Sequence, residues 1–327
     1  MRLLVASFTA VLMLASTLSL AQAETKRVVV TLKPIHSLAA ALMKGLGEPI
    51  LLMDGVQDPH EFALRPSQAR KLQSADLVFW VGKEMELGVV SAMESLPAEA
   101  EVISLIDLEG LSHAEGHGHH EDDAHKSAHG KQASSDDHKD EHADDHEHGD
   151  EEHGAKDPHI WLNPANGITM ARAMADALKK QFPEGQEAIN TNLAELLERI
   201  EVMHQTGREK LAPLHEVGFV STHQWYGHFA DGFSLEGGHA LTDNPELPVG
   251  AARMAEMQEL AQKGSISCFL AEGTHDSRSL DLLSKAAGSQ TITIDQLGGE
   301  LSAGDQNYVE IMTALIDEVA NCLKPQS

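Results

Sequence analysis

Nine histidines of this chain lie outside its one histidine-dense stretch: His36, His60, His159, His204, His215, His223, His228, His239 and His275. Three of them share a setting. His60 sits in QDPHEFALRPS, His159 in DPHIWLNP and His223 in VSTHQWYG. Each follows the end of an apolar run or leads from a polar stretch into ordered sequence. Asp-Pro-His occurs twice, at 58–60 and at 157–159. Proline fixes its own φ and restrains the residue before it, so a ligand beside it keeps its position when an ion leaves. Three neutral imidazoles suit a borderline divalent ion such as Zn²⁺, which takes nitrogen at about 2.0–2.1 Å and in a closed tetrahedral site needs one more donor. Asp295, at the end of the run TITI, is the expected fourth ligand. For His36, His204, His215 and His275 the ordinary reading is a solvated surface or a satisfied core. His228 and His239 lie close behind His223 and can support it. Trp161 and Trp225, beside two of the expected ligands, read as packing that excludes water.

The histidine-dense stretch is a different object. Residues 113–153 hold 11 His, 14 Asp or Glu and three Lys, with no aromatic or β-branched residue. Such a segment cannot bury enough apolar surface to offset its ordering entropy, so a disordered insertion is expected over 112–156. Its histidines are His113, His117, His119, His120, His125, His129, His138, His142, His146, His148 and His153. Spacings such as His117-Gly-His119-His120 and His146-Glu-His148 let two imidazoles meet one ion in many arrangements. That reads either as a weak auxiliary metal collector, tethered at about millimolar effective concentration, or as a solvated spacer with incidental metal affinity.

The elements that must position the three histidines can be read around them. RVVVT at 27–31, Ile50–Met53, Leu77–Val81 and Val102–Leu105 read as strands, with helical spacing through Leu38, Leu42 and Met43 and again from Ser67 to Ser74. Strands alternating with helices predict an α/β fold with mostly parallel sheets. Ile189, Leu193, Leu196, Leu197, Ile200 and Met203 form one apolar face of a helix bounded by Pro183 and Pro213. At 1.5 Å per residue such a helix reaches about 40 Å, long enough to join two lobes. The alternation then repeats: strands at 219–222, 266–271 and 291–294, helices at 250–262, 279–287 and 308–323. In open α/β sheets ligands bind at the carboxyl ends of strands, which is where His60 and His223 fall.

Composition narrows the function classes. The chain has 327 residues and a formal net charge of -27. This balance excludes nucleic acid and anionic lipid as natural partners and fits a protein that meets cations. Arg2, an apolar run from Leu3 to Leu20 and the Ala21-Gln22-Ala23 pattern predict a cleaved secretory leader over 1–23. Its one Arg and lack of acids take the -27 to -28 for the mature chain. Export makes the two cysteines, Cys268 and Cys322, most simply one disulfide, with two separate buried thiols as the other reading. The expected organisation is a leader at 1–23, an N-terminal lobe at 24–185, a linking helix at 186–212 and a C-terminal lobe at 213–327. Nothing resembles HExxH and no general base is placed by a motif, so an enzyme is not expected.

QDPHEFALRPSQARKLQSADLVFWVGKEME, DPHIWLNP, STHQWYGHFA, DNPELPVGAARM and NYVEIMTALIDEVANCLK together resemble the zinc-uptake solute-binding proteins of ABC transporters, over essentially the whole mature chain. The acidic, histidine-rich insertion is similar to that of the same subgroup. The resemblance implies two (β/α) lobes bridged by a rigid helix, with the metal in the cleft between them. It implies that His60, His159 and His223 bind the ion and that Cys268 pairs with Cys322. It also implies a monomer in the periplasm that captures Zn²⁺ and delivers it to a membrane permease driven by a cytoplasmic ATPase. Some zinc relatives carry an acid just before the first ligand, where Pro59 stands here, and an acid is frequent where Gln224 stands. The fourth donor is therefore Asp295, Glu61, a water or a histidine of the insertion. Alternative readings are a manganese or iron carrier of the same fold, for which two carboxylates would be the better donors, and a periplasmic zinc buffer.

Overall fold

The structure, a computed structural model, describes residues 26–112, 156–242, 248–289 and 291–324. The expected leader at 1–23 and all eleven histidines of 113–153 lie outside the described residues.

Apolar runs too short for helices become strands, and proline opens several of the helices between them. In chain order the first unit is β1 (Val28–Val30), α1 (Lys33–Leu42), β2 (Ile50–Leu51), α2 (Pro66–Gln73), β3 (Leu77–Trp80), α3 (Val90–Glu94) and β4 (Glu101–Ser104). Pro34 and Pro66 stand in the first turns of α1 and α2, where a missing N–H costs nothing. The four strands pair in parallel in the order β2-β1-β3-β4. After the undescribed segment, a 3₁₀ turn at Ile160–Leu162 leads into α4 (Pro164–Gln181). Asn163 caps α4 by accepting the Ala165 N–H at 2.9 Å.

The expected linking helix is α5 (Gln186–Leu211), 26 residues long. Its buried stripe of Ile189, Leu196, Ile200, Met203, Gly207 and Leu211 repeats every three, four or seven residues, as one helix face requires. The second unit follows: β5 (Gly218–His223), α6 (Gly227–Phe233), β6 (Gly238–Thr242), α7 (Ala251–Gln262), β7 (Ile266–Glu272), α8 (Arg278–Ala286), β8 (Thr291–Ile294) and α9 (Asn307–Leu323). Its sheet is also parallel, in the order β6-β5-β7-β8.

Each sheet strand alternates its faces. In the second sheet Phe219 and Leu270 point into the large core shared with α1, α4, α5 and α9. Val220, Phe269 and Ala271 point the other way, onto Met257 of α7 and Leu280 and Leu283 of α8. The shared core runs without a break from Val28 in β1 to Leu323 in α9. Gly207 lets α5 close on its neighbours: a Cβ there would come 2.5 Å from the Phe233 ring and 2.7 Å from Ile316. Cys268 of β7 and Cys322 of α9 are bonded, with Cα atoms 5.3 Å apart. Among the described residues no helix is long and apolar enough to cross a membrane.

Three elements escaped the sequence pattern, the short α3 among them. The segment Gly238–Thr242 (GHALT) shows no run of β-formers and is a strand because it pairs with β5. The segment Gly227–Phe233 is helical because Phe229 and Phe233 are drawn into the core.

Candidate metal centre

The three expected ligands come from three separate places and meet at one point. His60 lies in the loop between β2 and α2, His159 directly precedes the 3₁₀ turn 160–162, and His223 is the last residue of β5. Ring centroids are 5.4 Å apart for His60 and His159, 5.9 Å for His60 and His223, and 5.3 Å for His159 and His223. One nitrogen from each lies within 4.8 Å of the other two. The cavity they line has room for no more than a small ion or one water.

Two of the rings are oriented by carboxylates. Asp157 Oδ1 lies 2.8 Å from His159 Nδ1 and also accepts the His159 backbone N–H at 3.0 Å. Glu272, the last residue of β7, brings Oε2 to 2.7 Å from His223 Nδ1, off the line of the ring N–H. A carboxylate there keeps the proton on Nδ1 and leaves the lone pair on Nε2. The two Nε2 atoms, His159 and His223, are 3.4 Å apart. Two lone pairs facing each other at that distance repel unless a cation sits between them. The edge of a tetrahedron with arms of about 2.05 Å is about 3.3 Å, so the spacing is that of two zinc ligands. His60 adds the third nitrogen: its Nε2 is buried and has no hydrogen-bond partner among the described residues.

Burial favours the neutral form of two of the rings. Burial, then the neighbouring His159, lowers the His60 pKa from 6.5 to about 4. Burial also lowers that of His223, against the pull of Glu272. For Glu272, burial pushes upward, but hydrogen bonds and the charges of His223 and His275 outweigh it and hold the carboxyl below its ordinary range. Thr222 Oγ1 donates to Glu272 Oε2 at 2.7 Å, and the Gln296 amide donates to Oε1. Asp157 is held down likewise by His159, against its burial.

The surrounding residues brace the rings. His228 Nε2 reaches the Asp157 carbonyl at 3.0 Å, and Asn166 donates to His228 Nδ1 at 3.3 Å, so His228 steadies the residue that orients His159. Trp161 is fully buried, with its ring 5.5 Å from that of His159, and its indole N–H donates to the Gln296 carbonyl at 3.2 Å. Tyr308 donates to the Trp161 carbonyl at 2.9 Å, in space left by Gly167, where a Cβ would meet the hydroxyl at 2.2 Å.

The chain is matched over residues 28–322 by the family model described as the zinc-uptake complex component A, periplasmic. The chain belongs to this family. It is 30% identical over 325 residues to the high-affinity zinc uptake system protein ZnuA of Yersinia pestis, covering 96% of this chain and 95% of that one. The same-named protein of Paracoccus denitrificans is 31% identical over 305 residues, 93% of each chain. In structure it is similar to a ZnuA crystal structure at a TM-score of 0.72 and 18% identity, covering 92% of this chain and 100% of that one. It is also similar to the periplasmic zinc binding protein TroA of Treponema pallidum, at a TM-score of 0.70 and 16% identity, covering 92% and 100%. The two-lobe α/β fold expected from the sequence is thus the fold of this zinc-uptake family.

Asp295 does not join the histidines. Its side chain is exposed and accepts the Leu297 N–H at 3.2 Å, closing the turn after β8. It borders a neighbouring hollow with Glu272 and Thr274, not the one lined by the three rings. Glu61 is exposed as well. Conversely, His275, expected to be an ordinary surface or core residue, borders the histidine cavity, its ring 4.9 Å from that of His223. The signal was present: Glu272 ends β7 and His275 follows it, as His223 ends β5, and the two strands are parallel neighbours. Three of the other histidines bond backbone carbonyls. His36 Nε2 bonds the Pro49 carbonyl at 3.0 Å, His204 Nε2 the Gly232 carbonyl at 2.9 Å, and His215 Nδ1 the Ala212 carbonyl at 3.0 Å.

Proposed function

We infer that this chain captures Zn²⁺ in the periplasm and delivers it to a membrane transporter for uptake. The observation that carries this is the His159–His223 pair, with Nε2 atoms 3.4 Å apart and both opposite nitrogens beside carboxylates. His60, His159 and His223 are the proposed ligands, and a water is the proposed fourth donor. Three nitrogens select zinc over manganese or ferrous iron, which prefer more oxygen. The names of the relatives in Yersinia and Paracoccus support the same ion.

The donors are divided so that capture is reversible by motion. His60 and His159 belong to the part of the chain before α5, and His223 to the part after it. Parting the two sheets would take His223 away from the other two and dismantle the site without chemistry. A permease with a cytoplasmic ATPase is the proposed agent of that step. The leader expected at 1–23 and the Cys268–Cys322 disulfide, which forms in oxidising compartments, support an exported protein. The lobes proposed from the sequence, 24–185 and 213–327 around the helix 186–212, accommodate this division.

Titration of the mature protein with Zn²⁺, Mn²⁺ and Fe²⁺ against a competing chelator tests the reading. One tight zinc equivalent is expected, lost in both His60→Ala and His223→Ala. Unchanged affinity in both variants overturns it. A growth defect on deletion that added zinc rescues separates a carrier from a buffer.

A further inference from the structure

Gln296, in the turn after β8, forms part of the wall of the histidine cavity and is 6% exposed. One end of its amide is engaged: Nε2 donates to Glu272 Oε1. A carboxylate only accepts, so the end that meets it must be the nitrogen. Oε1 is the end left over. It is shielded from solvent and has no hydrogen-bond partner among the described residues. Of the side-chain oxygens on the residues that line the cavity, it alone is in that condition. A buried carbonyl oxygen left unpaired is costly, which marks this one as an acceptor kept for a donor the chain does not supply.

The backbone beneath it is fastened. The Trp161 indole N–H donates to the Gln296 carbonyl, and Asp295 accepts the Leu297 N–H, each at 3.2 Å. Further along the turn, the buried Nζ of Lys33 donates to the carbonyls of Gly298 at 2.8 Å and Gly299 at 3.2 Å. Lys33 opens α1 and Trp161 lies two residues after His159, so the turn is tied to the part of the chain that carries His60 and His159. Its side chain meanwhile reaches Glu272, beside His223. Gln296 is thus placed relative to the ligands on both sides of the cavity.

We propose that Gln296 sets the fourth donor of the site: the water that completes the tetrahedron donates a hydrogen bond to Gln296 Oε1. The proposal rests on the three histidines being the zinc ligands. An ion sits about 2.0–2.1 Å from its nitrogens, nearer than the roughly 2.7–3.2 Å at which a water can approach them. The water-sized space of the cavity therefore lies beyond the seat of the ion and is left for one more donor. A metal-bound water brings hydrogens that need acceptors, and Oε1 is a neutral one. An amide there keeps the donor set at three nitrogens and one uncharged oxygen, which suits zinc. A carboxylate in its place would bind the ion itself, add a negative charge and move the set towards manganese and ferrous iron. Gln296 then positions the fourth donor and guards the choice of ion.

The test loads the full chain with one equivalent of Co²⁺ and titrates it with fluoride, following the visible spectrum of the ion. Fluoride is water-sized and binds metal but has no hydrogen to give to Oε1. It should bind about tenfold more weakly to the unaltered chain than to Gln296→Leu, because in the former it forfeits the hydrogen bond of the water and faces the lone pairs of Oε1. Equal fluoride affinity overturns the proposal: a role confined to bracing Glu272 would lower the melting temperature and the zinc affinity of Gln296→Leu without touching fluoride. In Gln296→Glu, Glu272 repels the new carboxylate and turns it to the ion. The preference for Zn²⁺ over Mn²⁺ in chelator competition should then fall about tenfold or more. An unchanged preference also overturns the proposal, and it decides the matter if Gln296→Leu does not fold. Should His60→Ala and His223→Ala leave tight zinc binding intact, the three-histidine reading fails by itself. Should they abolish it while fluoride affinity and ion preference stay unchanged in the Gln296 variants, only the role of Gln296 fails.

Discussion

The two Asp-Pro-His segments are identical in sequence and alike in backbone, yet they hold their histidines differently. In both, the aspartate accepts the N–H of its own histidine two residues on, at 2.9 Å for Asp58 and 3.0 Å for Asp157. At 157–159 the same carboxylate oxygen also reaches the ring, fixing His159 at Nδ1. At 58–60 the second oxygen turns away to His275, and among the described residues no carboxylate is paired with the His60 ring. The His159 side chain is buried, with 4% of its surface exposed, whereas His60 is half-buried with an orphaned Nε2. One tripeptide therefore makes a pre-oriented ligand in one place and a free-standing one in the other. The tripeptide sets the turn; the neighbours set the ring.

The largest effect that tests this contrast is removal of a ligand. His159→Ala should lower zinc affinity at least a hundredfold in chelator competition, since even outer partners of metal ligands are worth 10–100-fold. Asp157→Asn comes next. It leaves the ligand but not its orientation, and a loss of about 10–100-fold is expected by the same assay. Asp58→Asn is the control for the comparison: its equilibrium affinity should fall by less than about tenfold, because Asp58 does not orient the His60 ring. Equal losses for the two aspartates would break the contrast.

The pH dependence sharpens it further. Free histidine titrates near pH ~6.5, which by itself places proton competition at that value. His60 in the fold is lowered to about 4, so it stays neutral and ready to bind well below 6.5. A lowered histidine pKa also means that the unfolded chain takes up its proton first as pH falls. The contribution of His60 to stability is complete above about 6.5 and is lost between about 6.5 and 4. Thermal melts of the metal-free protein should fall in that window, and His60→Gln should flatten the decline.

The smaller effects lie away from the ring cluster. Replacing both Cys268 and Cys322 by serine should cost about 2–4 kcal/mol of stability in denaturant unfolding, with the tight zinc equivalent retained. Deleting 113–153 should leave tight binding unchanged and remove only weaker equivalents in calorimetry. Loss of the tight equivalent would give the tract a direct part in the site.

Much of this molecule was determined by its sequence. Alternating apolar runs and helical stripes set out the parallel α/β units, because burial on both sheet faces leaves uninterrupted Val, Leu and Ile runs. The stripe from Ile189 to Met203 marked α5, and the composition of 113–153 separated the dense histidines from His60, His159 and His223. The motifs around those three carried both the family and the ion. What sequence could not supply is whatever depends on strands far apart in the chain becoming neighbours. The pairing of β5 with β7 brings Glu272 and His275 to His223. The same packing makes a strand of GHALT, which has no local preference to be one. The turn after β8 spends the Asp295 carboxylate on the Leu297 N–H and keeps it from the rings. A side chain's type and its local turn are written locally; what its free end meets is settled by the chain segments that tertiary packing brings against it.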